Sequence, residues 1–352
     1  MNASWREKLT SFGLVQKDGN FVYPAVSSAS DVLCTLASDT IFQVSGDDAE
    51  KFLQDQFSND IGTLETPGSQ LTTWSSPKGR VIAVMRVVRV DDGYLIKLPT
   101  LLAEPVLKRL RMYALLFKVV IDGKLRKPER PLLLESRDDL VAIGISGQSA
   151  EAAMANAGYA VGQQPDDTTE VSGDAWITRV RGEIPRFEIF GSAEKLAELW
   201  ATCSEGCSMA DESAWRLQNI DAGLPSVGEQ TTEAFVLQML NLQHINGVSF
   251  TKGCFPGQEV VARMQYLGKL KRQMFRLQYS GDHVPLAGDE IYKAGGGSAA
   301  GKVVDAVNTG DGTSRLLAVI AIDATNEPLF FDKEEQQALT LLEFPYDTPA
   351  PE

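Results

Sequence analysis

The stretch KGCFPGQEVVAR, residues 252–263, predicts a loop that turns into a helix. Pro256 suits the first helical turn, because its fixed φ matches the helix and its missing N–H would lack a partner there. Further on, Val260, Val261 and Met264 recur at spacings of one, three and four, which gives one apolar helix face. The glycines of this stretch allow the backbone to turn tightly and to come close to a partner or ligand.

Cys254 carries the chemistry that this stretch offers, because it is a thiol flanked by small residues and a lysine. Just before a helix N-terminus, unpaired N–H groups and the helix dipole favour the thiolate form. Lys252 adds a positive charge two residues away, and Glu259 and Arg263 have the i, i+4 spacing of an ion pair that would brace the helix. These residues predict a reactive thiol. A small buried hydrophobe is the alternative reading of the same cysteine.

The charge balance limits the partners of the chain. It has 352 residues, of which 43% are apolar and 23% charged, so we expect an ordinary folded protein of two or three domains. The net charge of −14 argues against general binding to nucleic acid or to anionic membranes. Residues 252–276 nevertheless carry a local basic excess, with Glu259 as their one acidic residue. This excess could attract a polyanion, an RNA or an acidic partner, or could be a solvated surface.

The four cysteines lack the dense, even spacing of a secreted disulfide scaffold. We find no signal peptide at the start of the chain and no apolar run of membrane-spanning length, so we expect a cytoplasmic protein without membrane attachment. Cys203 and Cys207 do not have the spacing of a zinc pair, and the two histidines stand alone. No metal site is expected. The Gly-Gly-Gly run at 295–297 is read as a hairpin turn rather than a phosphate loop.

Apolar periodicity and turn residues predict an α+β fold. Helices are expected near 49–57, at 101–114 with Thr100 as cap, near 148–157, after Ser192 and at 211–220. Strands are expected at 40–44, 71–76, 81–90, 94–98, 117–121, 131–135, 140–145, 175–180 and 184–190. The charged, proline-containing segment 124–131 is a candidate boundary. After the thiol motif, strands at 273–280, 290–293, 301–307 and 315–322 indicate a small all-β domain.

The thiol motif and four further segments resemble the YgfZ family, whose members bind folate and share the fold of the aminomethyltransferase (T-protein) of the glycine cleavage system. The further segments are FLQDQFSND (52–60), KRLRMYALLFKVVI (108–121), WRLQNIDAGLP (215–225) and LQMLNLQHINGVSFTKGC (237–254). The resemblance implies a three-domain ring with a C-terminal all-β, barrel-like domain. We divide the chain accordingly into an N-terminal part of the folate-binding domain, a second α/β domain, a return segment and the barrel, at 1–128, 129–210, 211–268 and 269–352.

The resemblance also implies a tetrahydrofolate-type ligand in the central opening. Trp215 falls on an aromatic position linked to folate, where stacking of the indole on a pterin or aminobenzoyl ring is physically sensible. Asp221 matches a carboxylate that holds the amino-pyrimidine edge, although its side chain is one methylene shorter. Asn59, Asp60 and Tyr113 are weaker candidates. The positions that fall on the family motif are Lys252, Gly253, Cys254, Phe255, Gly257, Gln258, Glu259 and Arg263.

One departure from the T-proteins bears on the reaction. T-proteins carry two aspartates after a Gly-Gly hairpin turn, and here the matching positions include Ala83 and Val84. Acid–base work on a bound amine would therefore lack its group. The resemblance implies a folate-binding protein that assists assembly or repair of iron–sulfur enzymes, including radical enzymes that modify tRNA, with iron–sulfur proteins or their assembly factors as partners. The alternatives are a folate-dependent one-carbon transferase and a pure interaction module.

Overall fold

The computed structural model describes residues 3–17, 20–22, 31–117, 120–121, 124–125, 128–171, 174–281, 283–295, 297–332 and 337–348. Within this part of the chain the α-helices are α1 (Ala3–Ser11), α2 (Ala49–Gln56), α3 (Thr100–Leu116), α4 (Ala150–Asn156), α5 (Ala193–Cys203), α6 (Glu212–Asp221) and α7 (Gln258–Leu267). Short 3₁₀ turns lie at Ile61–Thr63, Leu237–Leu240, Leu242–His244 and Ile322–Asn326.

Two short hairpins stand apart from the larger sheets. They are β1 (Val15–Lys17) with β2 (Asn20–Val22), and β8 (Val120–Ile121) with β9 (Lys124–Leu125). A five-stranded antiparallel sheet has the order β10-β4-β7-β6-β5. Its strands are β4 (Asp39–Ser45), β5 (Gly68–Ser75), β6 (Val81–Val90), β7 (Gly93–Pro99) and β10 (Leu133–Ser136). We call it the first sheet.

A six-stranded sheet, the second sheet, has the order β12-β13-β14-β11-β3-β15. Its strands are β3 (Val32–Thr35), β11 (Leu140–Ser146), β12 (Thr168–Val171), β13 (Ala175–Arg179), β14 (Arg186–Ser192) and β15 (Ser208–Met209). All its pairings are antiparallel except that of β15 with β3. Helices α1, α4 and α5 belong to this layer, because Trp5 of α1 and Trp200 of α5 share its core.

The C-terminal part of the chain, from Arg272 to Leu342, closes into a six-stranded barrel of order β16-β19-β18-β17-β20-β21. Its strands are β16 (Arg272–Tyr279), β17 (Glu290–Lys293), β18 (Gly301–Asn308), β19 (Ser314–Ala321), β20 (Leu329–Phe330) and β21 (Ala338–Leu342). The interior is filled by aliphatic side chains such as Leu277, Val303 and Ile320, all fully buried. The predicted small all-β domain is confirmed, and so is the α+β class of the whole chain.

The first sheet uses its two faces differently. One face packs against α2 and α3, with Phe42 and Ile96 in a large shared core. The opposite face meets the second sheet at one end, where Ile41, Val88 and Leu95 form a separate cluster with side chains of that sheet. Because paired residues of neighbouring strands point to the same face, the cross-strand row Ile41–Lys97–Arg86–Leu71 also lies on this second face.

Three local expectations need correction. The helix α3 begins at Thr100 itself, and no side-chain cap is formed, because Pro99 occupies the capping position. Helix α7 begins at Gln258, two residues after Pro256, because Gly257 takes a left-handed φ of 83° and interrupts the helical path. Strand β12 was not predicted. Its sequence TTEV is half-exposed and too polar to give a strand signal.

Two other expectations fall partly on residues outside the described part of the chain. The strand predicted at 117–121 is seen only at Val120–Ile121, and residues 118–119 are not described. The boundary predicted at 124–131 contains residues 126–127, which are likewise outside the described ranges. The division of the chain into four parts stays a prediction.

Candidate functional site

The loop that carries the thiol motif is fixed by Lys252, whose side chain is buried. Its ammonium donates hydrogen bonds to the backbone oxygens of Gln54 (2.6 Å), Phe57 (2.6 Å) and Asn59 (2.9 Å). These oxygens belong to the last turn of α2 and to the residues just after it, where helix carbonyls lack intrahelical partners. Burial lowers the pKa of Lys252 to about 8. An ammonium has three protons, so these three oxygens use all of them and none is left to donate to Cys254.

Gly257 holds the same loop against the tip of the β5–β6 hairpin. A Cβ placed on Gly257 would lie 2.6 Å from the Cα of Gly79 and 2.6 Å from the carbonyl oxygen of Ser76. Gly257 and Gly79 both have positive φ, of 83° and 72°. Only glycine combines that conformation with this approach. Gly253, by contrast, has open space where a Cβ would stand.

Cys254 is exposed, whereas the other three cysteines are buried and free. The next residue, Phe255, is buried in the core of the first sheet and anchors the loop beside the thiol. Burial raises the pKa of Cys203 to about 12 and that of Cys207 to about 11, which keeps both in the unreactive thiol form. Cys254 is therefore the accessible thiol of the chain.

The rest of the motif lies on α7. Gln258 is half-buried, and Glu259 and Arg263 are exposed. The ion pair expected between Glu259 and Arg263 is not formed, although both residues are described. The basic excess near the motif is also partly used internally, since Lys252 is buried and Arg276 is half-buried against Asp221. The exposed basic residues are Arg263, Lys269, Lys271 and Arg272.

A central cleft opens between the two sheets and the end of α6, with a cavity volume of about 100 Å³. Its walls combine aliphatic and charged side chains. They are Asp39, Leu71, Val84, Met85, Arg86, Lys97, Leu98, Pro99, Val180, Glu188, Asn219, Leu224, Pro225 and Ser226. The first sheet, the second sheet and the segment after α6 thus all contribute to one concave site, which is the arrangement expected of a small-molecule pocket.

A buried charge network crosses this cleft. Lys97 Nζ lies 2.7 Å from Asp39 Oδ2 and 2.9 Å from Glu188 Oε1. Arg86 lies 3.1 Å from Glu188 Oε2 and 2.6 Å from Asp166 Oδ1. Burial opposes the charged form of Lys97, but Asp39 and Glu188 outweigh it and raise the pKa of Lys97. Burial also opposes the charged form of Glu188, but Lys97 and Arg86 outweigh it and lower the pKa of Glu188. The network joins the two sheets through two cations and three carboxylates.

Sequence reasoning missed this network. The available signal was a charged residue inside each of two apolar strands, Arg86 in β6 and Lys97 in β7. Cations in the middle of buried strands need partners, because an isolated buried charge is costly. The partners Glu188 and Asp166 are distant in the chain, so the pattern predicts that partners exist without naming them.

Trp215 lies in α6 near the cleft, but its ring is covered. Its side chain is 2% exposed and belongs to the cluster between the two sheets. The guanidinium of Arg186 lies over the ring at 4.2 Å from its centroid, and a Cβ on Gly144 would come within 2.7 Å of it. Burial lowers the pKa of Arg186 to about 10. The stacking surface that the resemblance implies is therefore occupied by Arg186 in this structure.

Asp221 points toward the barrel. Its Oδ1 lies 3.1 Å from Arg315 and 3.6 Å from Arg276, and Arg276 also donates to its backbone oxygen. Asp221 is not among the residues that line the cleft. Its contacts tie the end of α6 to strands β16 and β19.

The weaker folate candidates lie away from the cleft interior. Asn59 donates to the oxygens of Leu71 (2.8 Å) and Asn246 (2.7 Å). Asp60 caps the following 3₁₀ turn through Gly62. Tyr113 packs edge-on against Trp74, on the helix-covered face of the first sheet. None of the three lines the cleft.

The two positions that match the transferase aspartates differ in their surroundings. Ala83 is buried on the helix-covered side, where its partner across the strands is Trp74. Val84 lines the cleft. The position that would carry a carboxylate toward a ligand therefore presents an aliphatic side chain.

The described residues contain no group of three histidine, cysteine or acidic residues that could hold a metal ion. They also contain no helix that is long and apolar enough to cross a membrane.

The chain is similar to proteins described as tRNA-modifying protein YgfZ. It is 30% identical over 307 residues to the protein of Colwellia psychrerythraea, covering 86% of this chain and 89% of that relative. It is 29% identical over 318 residues to the protein of Klebsiella pneumoniae, covering 89% of this chain and 92% of that one. No family model matches the chain.

The fold is similar to that of the glycine cleavage system aminomethyltransferase T from Bartonella henselae. The TM-score is 0.74 over 97% of this chain and 96% of that structure, at 14% identity. At this identity the likeness shows the fold alone, and it confirms the expected aminomethyltransferase-type architecture.

Proposed function

This chain belongs to the YgfZ family of tRNA-modifying proteins, and from that premise we propose that it binds a tetrahydrofolate and assists the assembly or repair of iron–sulfur enzymes, including radical enzymes that modify tRNA. The central cleft is the observation that carries the proposal. It is a concave site between the two sheets of an aminomethyltransferase-type fold, and an accessible thiol lies outside it, in a loop that packs against the β5–β6 hairpin of the first sheet.

The residues of the cleft fit a folate. Aliphatic walls such as Val84 and Leu224 suit the faces of a planar ring, while Asp39, Lys97 and Asn219 offer polar groups for its edge. When bound, a tetrahydrofolate supplies one-carbon or reducing chemistry, and the residues of the cleft would bind and orient it.

Cys254 would act where the protein meets its iron–sulfur clients. Its exposure allows a metal, a sulfur atom or a client side chain to reach it, which the three buried cysteines do not allow. Lys252 and Gly257 hold the loop in place from within. We propose that the thiol is a nucleophile or a transient ligand, and that the loop is built to present it.

Two measurements test the proposal. Calorimetric titration of the purified protein with tetrahydrofolate should show binding. In bacterial cells that lack their own member of this family, Cys254→Ala should fail to restore tRNA methylthiolation, while Thr251→Ala, a matched change of an exposed residue in the same loop, should restore it. Full restoration by Cys254→Ala would overturn the role of the thiol. Loss of function in Cys254→Ala without any folate binding would favour an interaction module.

The shared fold favours a second candidate, a folate-dependent one-carbon transferase. The side chain of Val84 counts against it, because the cleft offers no carboxylate at the position of the transferase aspartates. Sustained one-carbon transfer from a methyl or aminomethyl donor to tetrahydrofolate would decide for the transferase.

A further inference from the structure

Asp39 and Lys97 form an ion pair that is open to the central cleft. Asp39 is the first residue of β4, and Lys97 lies on the neighbouring strand β7. Their side chains retain 18% and 14% exposure, and both line the cleft. Their neighbours in the network are more enclosed, with Arg86 at 6% and Glu188 at 7%. The pair is thus the part of the network that a ligand can reach.

Each partner of this pair has hydrogen-bonding capacity left over. Asp39 accepts from Lys97 through Oδ2, and among the described residues Oδ1 receives no hydrogen bond. Lys97 donates to Asp39 and to Glu188, which uses two of its three protons. Side by side, the pair therefore offers one free acceptor and one free donor.

We propose that Asp39 and Lys97 recognise the amide edge of a pterin ring, with Asp39 accepting from ring N–H groups and Lys97 donating to the adjacent carbonyl oxygen. This inference rests on the proposed folate function and assigns the recognition residues within it. A neighbouring N–H and C=O require an acceptor next to a donor, which is what this pair presents. Buried polar groups that lack a partner strongly favour the ligand that supplies one.

The assignment replaces the one that the family resemblance implies. Asp221 was expected to hold the amino-pyrimidine edge, but it lies outside the cleft and is paired with Arg276 and Arg315. Glu188 is more enclosed, and both of its oxygens are already paired, one with Lys97 and the other with Arg86. Asp39 therefore is the carboxylate of this site with both an open acceptor and a path to it.

The test compares folate with its 4-amino analogue aminopterin, because these two ligands differ at the ring carbonyl that Lys97 would contact. Binding is measured by calorimetry for the wild type, Asp39→Asn, Lys97→Met and Asp221→Asn. Asp92→Asn serves as the matched control, since Asp92 is an exposed carboxylate paired with Arg130 away from this cleft. Near-ultraviolet circular dichroism and the melting temperature show which variants are folded.

We expect the wild type to bind folate at least about tenfold more tightly than aminopterin, because aminopterin sets a 4-amino group against the ammonium of Lys97 and its N3 has no proton to donate to Asp39. Lys97→Met should reduce that preference. Asp39→Asn should weaken folate binding by about ten- to hundredfold, and Asp92→Asn should leave it unchanged. Because Asp39→Asn keeps the size of the side chain, it tests the contact even if Lys97→Met is poorly folded.

Two results would overturn the inference, and they separate it from the proposed function. Equal folate affinity of the wild type and Asp39→Asn, with a loss in Asp221→Asn, would overturn the assignment and leave folate binding intact. Failure of the wild type to bind any folate or tetrahydrofolate would overturn the proposed folate function together with the assignment.

Discussion

Replacing Lys252 by Met tests whether this lysine is a structural element or an activator of the thiol. The methionine keeps the apolar stem but removes three hydrogen bonds to the oxygens of Gln54, Phe57 and Asn59. Hydrogen bonds from a charged group contribute about 1.5–3 kcal/mol each, so three contribute about 4.5–9 kcal/mol. Burial of the ammonium offsets part of this stabilisation. The lowering of the pKa of Lys252 from 10.5 to about 8 corresponds to a cost of about 3 kcal/mol for the charged form. We expect a net loss of about 3 kcal/mol in the free energy of unfolding.

Urea unfolding at pH 7, followed by tryptophan fluorescence, measures this loss. Lys78→Met is the matched control, because Lys78 is exposed at the tip of the hairpin and should cost less than about 0.5 kcal/mol. Alkylation of Cys254 across pH in the folded variant is the second readout. Its pH midpoint should equal that of the wild type, since the ammonium is bound to carbonyls. A small stability change together with a higher midpoint would refute the structural role and restore the activator role.

Gly257→Ala should destabilise the protein by about 2–4 kcal/mol, because φ is positive there and the added Cβ would collide with the backbone of the hairpin tip. Gly253→Ala is the control and should be nearly neutral, because a Cβ there has open space. Urea unfolding of the two variants measures the difference. Glu212 gives a pH dependence. Burial and then Asp39 raise its pKa to about 7, so the stability it contributes is full below about 4.5 and is lost as the pH rises through 7. Unfolding of Glu212→Gln between pH 5 and 8 should therefore show a smaller decline than the wild type, by up to about 3 kcal/mol. Thiol titration of the folded protein should count one reactive cysteine, Cys254, and four in denaturant; more than one in the folded state would contradict the burial of the others.

The sequence predicts most of the fold because its signals are local. Alternating apolar strands around Gly79 and around the turn at 91–93 give the hairpins of the first sheet, and Ser192 caps α5 as expected by accepting from the N–H of Lys195. The errors occur where a neighbour decides the outcome. Helix α7 begins after Gly257, because that glycine is held against Ser76 and Gly79, and no pattern within residues 252–263 contains this contact.

The candidate site is predictable only in part, for the same reason. Cys254 stands out in the sequence, and its exposure is compatible with the predicted role. The cleft is built from residues that are far apart in the chain, such as Asp39, Lys97 and Glu188, and their meeting depends on how the two sheets pack. The family resemblance implied that Trp215 and Asp221 bind the ligand. In this structure Arg186 covers the ring of Trp215, and arginines of the barrel pair with the carboxylate of Asp221.

Asn59 explains how the cleft and the thiol loop belong to one site although they lie apart. Its side-chain amide donates both of its protons to backbone oxygens, of Leu71 in the wall of the cleft and of Asn246 in the segment that leads to the motif. The backbone oxygen of Asn59 accepts a hydrogen bond from Lys252. Its donors are thus fully used by the protein, which leaves them unable to serve a ligand as the resemblance implied. Asn59 instead fastens the strand that lines the cleft to the segment that leads to Cys254, which is the fixed connection that the proposed use of a folate and a thiol together would need.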